Sequence, residues 1–116
     1  MGDEFPFNIE TLLEQCGGSK EVGGIVLDAF LEQIEADIRE METSLADGDL
    51  MQAGKVGHRL KGTAGVLGAS KLHSICVALE TAGKEGNVEA ANTAYLKLKA
   101  ETDRCVAAVP EARNRL

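Results

Sequence analysis

The stretch His58-Arg59-Leu60-Lys61-Gly62-Thr63-Ala64-Gly65 reads as a helix with two unlike faces. Projected at about 100° per residue, Met51, Gly54, Lys55, Lys61, Gly62 and Gly65 fall within about 60° of His58. Ala53, Val56, Leu60, Thr63 and Leu67 fall opposite, a mostly apolar stripe that must face a core. His58 therefore points away from that core. Glycine in a helix interior costs roughly 1 kcal/mol relative to alanine, so Gly54, Gly62 and Gly65 need a reason. One is clearance around His58; the other is a close-packed helix crossing. Gly57 lies beside the face.

Working outward, turn signals predict four further helices. A short one runs from about Ile9 to Cys16 with Asn8 as its N-cap, and Gly17-Gly18-Ser19 ends it. Ser19 caps a long helix from Lys20 to Ala46, where Val22, Val26, Phe30, Ile34, Ile38, Met41 and Leu45 recur at helical spacing. Asp47-Gly48-Asp49 makes a tight turn, and Asp49 caps the His58 helix, which reaches about Val66. Gly68-Ala69-Ser70 precedes a fourth helix to about Ala82, with Leu72, Ile75, Cys76 and Leu79 on one face. Asn87 caps the last, which carries Val88, Ala91, Tyr95, Leu98, Thr102, Cys105 and Val109 until Pro110 stops it. The expected fold is all-α: an antiparallel up-down four-helix bundle with a short additional N-terminal helix as a lid. One domain spans residues 1–116, with a core from about 9 to 109 and a frayed polar tail over 110–116.

Composition agrees with a helical domain: two prolines, three phenylalanines, one tyrosine and no tryptophan in 116 residues. A net charge of −7 argues against nucleic acid and anionic membrane surfaces as partners. No segment approaches the roughly 18 consecutive apolar residues of a membrane span. The acidic start, Met1-Gly2-Asp3-Glu4, lacks the basic and apolar regions of a signal peptide. Cys16, Cys76 and Cys105 are odd in number, far apart and set in apolar patterns, as buried reduced thiols are. These features predict a cytoplasmic monomer.

An exposed imidazole, with an ordinary pKa near 6.5, offers a neutral nucleophilic nitrogen at cellular pH. Lys55 and Lys61 stand three residues before and after His58, where their ammonium groups can stabilise a phosphoryl group in transfer. His73, the other histidine, has no glycine bracket, and Lys71 lies off its face; it reads as structural or solvated. His58, His73 and Glu80 lack the spacing of a metal site, so no metal is expected. No glycine-rich loop precedes a Lys-Ser or Lys-Thr pair, which argues against an autonomous ATP-using enzyme.

At these residues the chain resembles the histidine-containing phosphotransfer (HPt) domains of multistep two-component signalling. The family pattern is a His, any residue, an aliphatic residue, Lys-Gly, small residues and a second Gly before a helix. His58, Leu60, Lys61, Gly62, Ala64, Gly68 and Leu72 match it. Phe30, Gly48-Asp49 and Leu79-Glu80 also fall where the family has such residues, so the resemblance covers about Leu12 to Leu98.

The resemblance implies that His58 accepts a phosphoryl group from a receiver-domain aspartyl phosphate and passes it to another receiver. Lys61 would be the phosphoryl-stabilising cation, Gly62 would give clearance, and Glu80 would orient the imidazole from the neighbouring helix. Response-regulator receiver domains and a hybrid sensor kinase are the implied partners. The receiver would bring the carboxylates and Mg²⁺, so no intrinsic cofactor is expected. Docking would use Met51, Gly54, Lys55, Arg59, Gly62 and Gly65, with Val77 adjoining; the family varies at Lys55. Two other readings stand beside this one. The phosphoacceptor domain of chemotaxis kinases shares the His-x-Leu-Lys-Gly pattern, and a receiver-docking module could use the same face with His58 unphosphorylated.

Overall fold

Polar side chains start four of the five helices in the computed structural model, which describes residues 4–116. The helices are α1 (Ile9–Gln15), α2 (Lys20–Ala46), α3 (Leu50–Leu67), α4 (Ser70–Glu85) and α5 (Val88–Arg115). Asn8, Ser19, Asp49 and Asn87 each accept a hydrogen bond from the backbone N–H three residues on, at 3.0, 3.1, 3.0 and 3.0 Å. Each satisfies a donor that the first helical turn leaves unpaired. Helix α4, with Ala69 at its N-cap position, has no such side-chain cap. There the chain turns on Gly68, whose φ of 64° places it in the left-handed region. The Gly68 carbonyl accepts the Asn8 N–H at 2.9 Å. A side chain at Gly68 would put its Cβ 2.7 Å from the Asn8 carbonyl oxygen. Only glycine lets the segment before α1 lie this close to the α3–α4 turn.

Connections of two or three residues join α2 to α3, α3 to α4 and α4 to α5, so these neighbours run antiparallel. Helix α2 packs on α5 to close the bundle. Leu27, Met41, Val56, Leu60, Leu67, Leu72, Leu79, Leu98 and Val109 are buried between the four helices. Helix α1 packs on α3 and α2, burying Leu12, and Phe7 just before it meets Phe30 edge-on at 6.2 Å between ring centres. All regular structure among the described residues is α-helical, as the hydrophobic periodicity predicts.

Two expectations need correction. Pro110 does not stop α5, which continues to Arg115. A proline inside a helix loses a backbone hydrogen bond and costs roughly 3 kcal/mol. Tertiary contacts outweigh that cost here, because the last turns are anchored rather than frayed. Val109 and Ala112 are buried, and Leu116 packs on Gly23. Arg113 pairs with Asp28, and Arg115 sits 3.8 Å from the centre of the Phe5 ring. The α2 stripe is also rotated from the expected one: Val22 is exposed, while Gly23, Leu27, Asp37 and Ser44 are buried beside Phe30, Ile34 and Met41. Gly23 faces the core beneath Leu116 and Val22 does not, a contact made by a tail expected to be frayed. Cys76 and Cys105 are buried as expected, while Cys16 is half-buried.

Candidate functional site

Helices α3 and α4 approach closely, and glycines are the reason. A Cβ at Gly83 would lie 2.7 Å from the Leu50 carbonyl oxygen and 2.8 Å from the Gly54 Cα. One at Gly57 would lie 3.2 Å from the Leu79 Cβ and 3.3 Å from the Cys76 oxygen. Gly54 faces the Gly83 Cα, 3.5 Å from where its own Cβ would stand. Gly54 and Gly57 are therefore buried parts of a helix crossing. This corrects the reading of Gly54 as clearance for His58: it lines the groove beside the imidazole, but the helix crossing is what requires a glycine there. Gly62 and Gly65 differ, since nothing lies within 4 Å of a Cβ at either position. Those two leave open space beside the imidazole.

The close crossing brings α4 within side-chain reach of His58. Glu80 Oε2 lies 2.7 Å from His58 Nδ1, and Glu80 Oε1 accepts from Lys61 Nζ at 2.7 Å. The His58 side chain is 67% exposed, whereas that of Glu80 is only 14% exposed. The Lys61 ammonium, and then the His58 hydrogen bond, pull the Glu80 carboxyl from its ordinary 4.5 down to about 2. An ionised carboxylate can only accept, so the proton shared with His58 sits on Nδ1. A ring in that tautomer has its lone pair on Nε2, the nitrogen that Glu80 does not engage.

Beside His58 the crossing leaves a groove of about 440 Å³, lined by Met51, Gly54, Lys55, His58, Glu80, Gly83 and Lys84. Met51 and Lys55 are exposed on its α3 wall, as the helix projection places them. Lys84 was not among the expected site residues. It stands one turn after Glu80, with Nζ 3.7 Å from Oε2. Its signal in the sequence was the four-residue spacing from Glu80.

Arg59 is placed elsewhere. Its guanidinium donates to Asp37 and Glu40 of α2, both at 2.8 Å, and so ties α3 to α2 instead of lining the groove. The Asp37 and Glu40 hydrogen bonds raise the Arg59 pKa, and the Arg59 and Gln52 hydrogen bonds lower that of Glu40. Thr63, expected on the core side, is half-buried with its hydroxyl donating to the Arg59 carbonyl at 3.4 Å. Val77 is exposed on α4. His73 is exposed on α4, seven residues or about 10 Å before Glu80. Among the described residues, no group of three or more His, Cys, Asp or Glu side chains is placed to hold a metal ion.

The model of the Hpt domain family matches residues 25–108. This chain belongs to the Hpt domain family. Two curated relatives of this Hpt domain are phosphorelay proteins by name. Multistep phosphorelay regulator 1 of Schizosaccharomyces pombe is 33% identical over 54 residues, which are 47% of this chain and 18% of that protein. Phosphorelay intermediate protein rdeA of Dictyostelium discoideum is 26% identical over 97 residues, 84% of this chain and 38% of that protein. The Hpt chain thus matches well under half the length of either relative.

Solved structures share the fold. Histidine-containing phosphotransfer protein B (HptB) from Pseudomonas aeruginosa PAO1 superposes with a TM-score of 0.87 at 20% identity, covering 98% of this chain and 99% of that one. The HPT domain of an Hpt sensor hybrid histidine kinase from Shewanella superposes with a TM-score of 0.84 at 22% identity, covering 98% of each. The Hpt bundle therefore has the architecture that the periodicity and short turns predict.

Proposed function

We propose that this Hpt domain is a phosphorelay intermediate in which His58 Nε2 accepts a phosphoryl group from the aspartyl phosphate of one receiver domain and returns it to the aspartate of another. The observation that carries this reading is the His58–Glu80–Lys61 array on a solvent-facing, glycine-flanked surface. As Nε2 forms its bond to phosphorus, the acyl oxygen–phosphorus bond breaks and the partner's aspartate leaves as a carboxylate. No proton has to be lost. The ring becomes a cation carrying hydrogen on Nδ1 and phosphorus on Nε2, and the Glu80 carboxylate offsets its charge. Lys61 is held beside the imidazole by Glu80 and can turn to the phosphoryl oxygens. Transfer to the next receiver is the reverse sequence.

In this reading the protein is a phosphotransfer substrate rather than a kinase. A partner receiver supplies Mg²⁺ and the acidic pocket, and a hybrid sensor kinase feeds the relay. No described helix is long and apolar enough to cross a membrane, and we place the relay in the cytoplasm with its receivers. The open space at Gly62 and Gly65 lets an aspartyl loop come close. Incubation with a phosphorylated receiver should give an acid-labile, alkali-stable label that His58→Gln abolishes and His73→Gln retains. A label that survives His58→Gln refutes the assignment.

A further inference from the structure

The two sides of His58 are built differently. Toward Gly62 and Gly65 the surface is open. On the other side lies the α3–α4 groove, whose lining includes the Gly54 and Gly83 positions at the helix crossing. At about 440 Å³ it has room for an apolar side chain. Met51 forms one wall, 71% exposed, and a flexible thioether adapts to varied apolar shapes.

The groove is also cationic on a chain whose net charge is −7. Lys55 rises from α3 with no ion pair among the described residues. Lys84 rises from α4 with a side chain 76% exposed. Its one carboxylate neighbour within 4 Å among the described residues is Glu80, which is already engaged at 2.7 Å by both His58 and Lys61. Among the described residues Lys55 pairs with no carboxylate, and Lys84 shares a single one with Lys61 and His58, so this face keeps a net positive charge. A cationic rim on an otherwise acidic protein steers an acidic partner and repels fewer of its charges at the point of contact.

Resting on the phosphotransfer reading, we propose that this groove selects the partner. It takes an apolar side chain flanked by carboxylates on the docking segment of a receiver, with Met51 gripping the apolar group and Lys55 and Lys84 pairing with the carboxylates. Lys61 serves the phosphoryl group, and these two lysines serve recognition. Their contribution belongs to the encounter and the docked complex rather than to bond making.

The test compares Lys55→Glu/Lys84→Glu with Lys97→Glu/Lys99→Glu, a pair on α5 with the same change in total charge. Purified receiver domains are titrated against each protein by calorimetry, and phosphoryl transfer is followed as a function of receiver concentration. The groove variant should weaken binding and raise KM by about 10- to 100-fold at low salt, with kcat within about threefold. Added salt should narrow the gap, and the α5 variant should stay within about threefold of wild type. Equal losses in the two variants would overturn the inference, because total charge would then explain them. A fall in kcat with unchanged KM would overturn it as well, placing the lysines on the phosphoryl group. Lysine-dependent binding without any label supports the groove and sinks the relay, whereas labelling with lysine-independent binding does the reverse.

Discussion

Alanine substitutions at Gly83 and Gly62 should shift stability in opposite directions. Both glycines sit inside helices, where alanine gains roughly 1 kcal/mol. At Gly62 nothing lies within 4 Å of the new methyl group, so Gly62→Ala should keep most of that gain. At Gly83 the methyl would stand 2.7 Å from the Leu50 oxygen, 2.8 Å from the Gly54 Cα and 3.0 Å from the Gly54 nitrogen. All three are backbone atoms, so relief requires α3 and α4 to separate. Overpacking of this kind costs about 1–3 kcal/mol; three backbone clashes at once put Gly83→Ala at about 2–3 kcal/mol, which after the alanine gain leaves it about 1–2 kcal/mol less stable than wild type. The two variants should differ by about 2–3 kcal/mol, or roughly 10 °C in Tm for a chain of this size. Urea unfolding followed by far-UV circular dichroism measures it. If Gly83→Ala proved as stable as Gly62→Ala, the close crossing that brings Glu80 to His58 would be wrong.

Other outcomes follow from the same geometry. The pKa of Glu80 is lower in the folded chain, about 2, than its ordinary 4.5. Its stabilising contribution is therefore complete above about pH 4.5 and lost as pH falls toward 2. Acid unfolding of wild type and Glu80→Gln should show a stability difference near neutrality that disappears across that window; a constant difference contradicts the ion-pair account. Arg59→Ala removes a partner from Asp37, whose side chain is 5% exposed, and should cost about 1–3 kcal/mol by urea unfolding. Transfer rates at saturating receiver should change little, which separates Arg59 from the docking face. Lys61→Ala should slow transfer by about 10²-fold while altering stability by less than about 1 kcal/mol, as single-turnover labelling and thermal melts would show.

The bundle was legible because its signals are local. Asn8, Ser19, Asp49 and Asn87 cap the helices they were expected to cap, each through a contact three residues long. The outward aim of His58 was equally local, fixed by the apolar stripe on its own helix. What one helix cannot reveal is which neighbour covers each flank. Gly54 and Gly62 lie at equal angles on either side of His58 in projection, yet α4 covers one and solvent the other. Arg59 looked like a rim residue until Asp37 and Glu40, some twenty residues earlier, came into contact with it. Pro110 misled because the contacts that hold the last turns, to Asp28, Gly23 and Phe5, are distant in sequence. Lys84 joins the groove only through the crossing that Gly83 permits.

The most direct test of the central claim is the position of phosphorus on the His58 ring. Glu80 holds Nδ1 at 2.7 Å and leaves Nε2 free. Phosphorus and proton NMR of protein labelled by a phosphorylated receiver should show one phosphoimidazole, bonded at Nε2 and absent from His58→Gln. Phosphorus on Nδ1, on His73 or on a carboxylate would contradict the account.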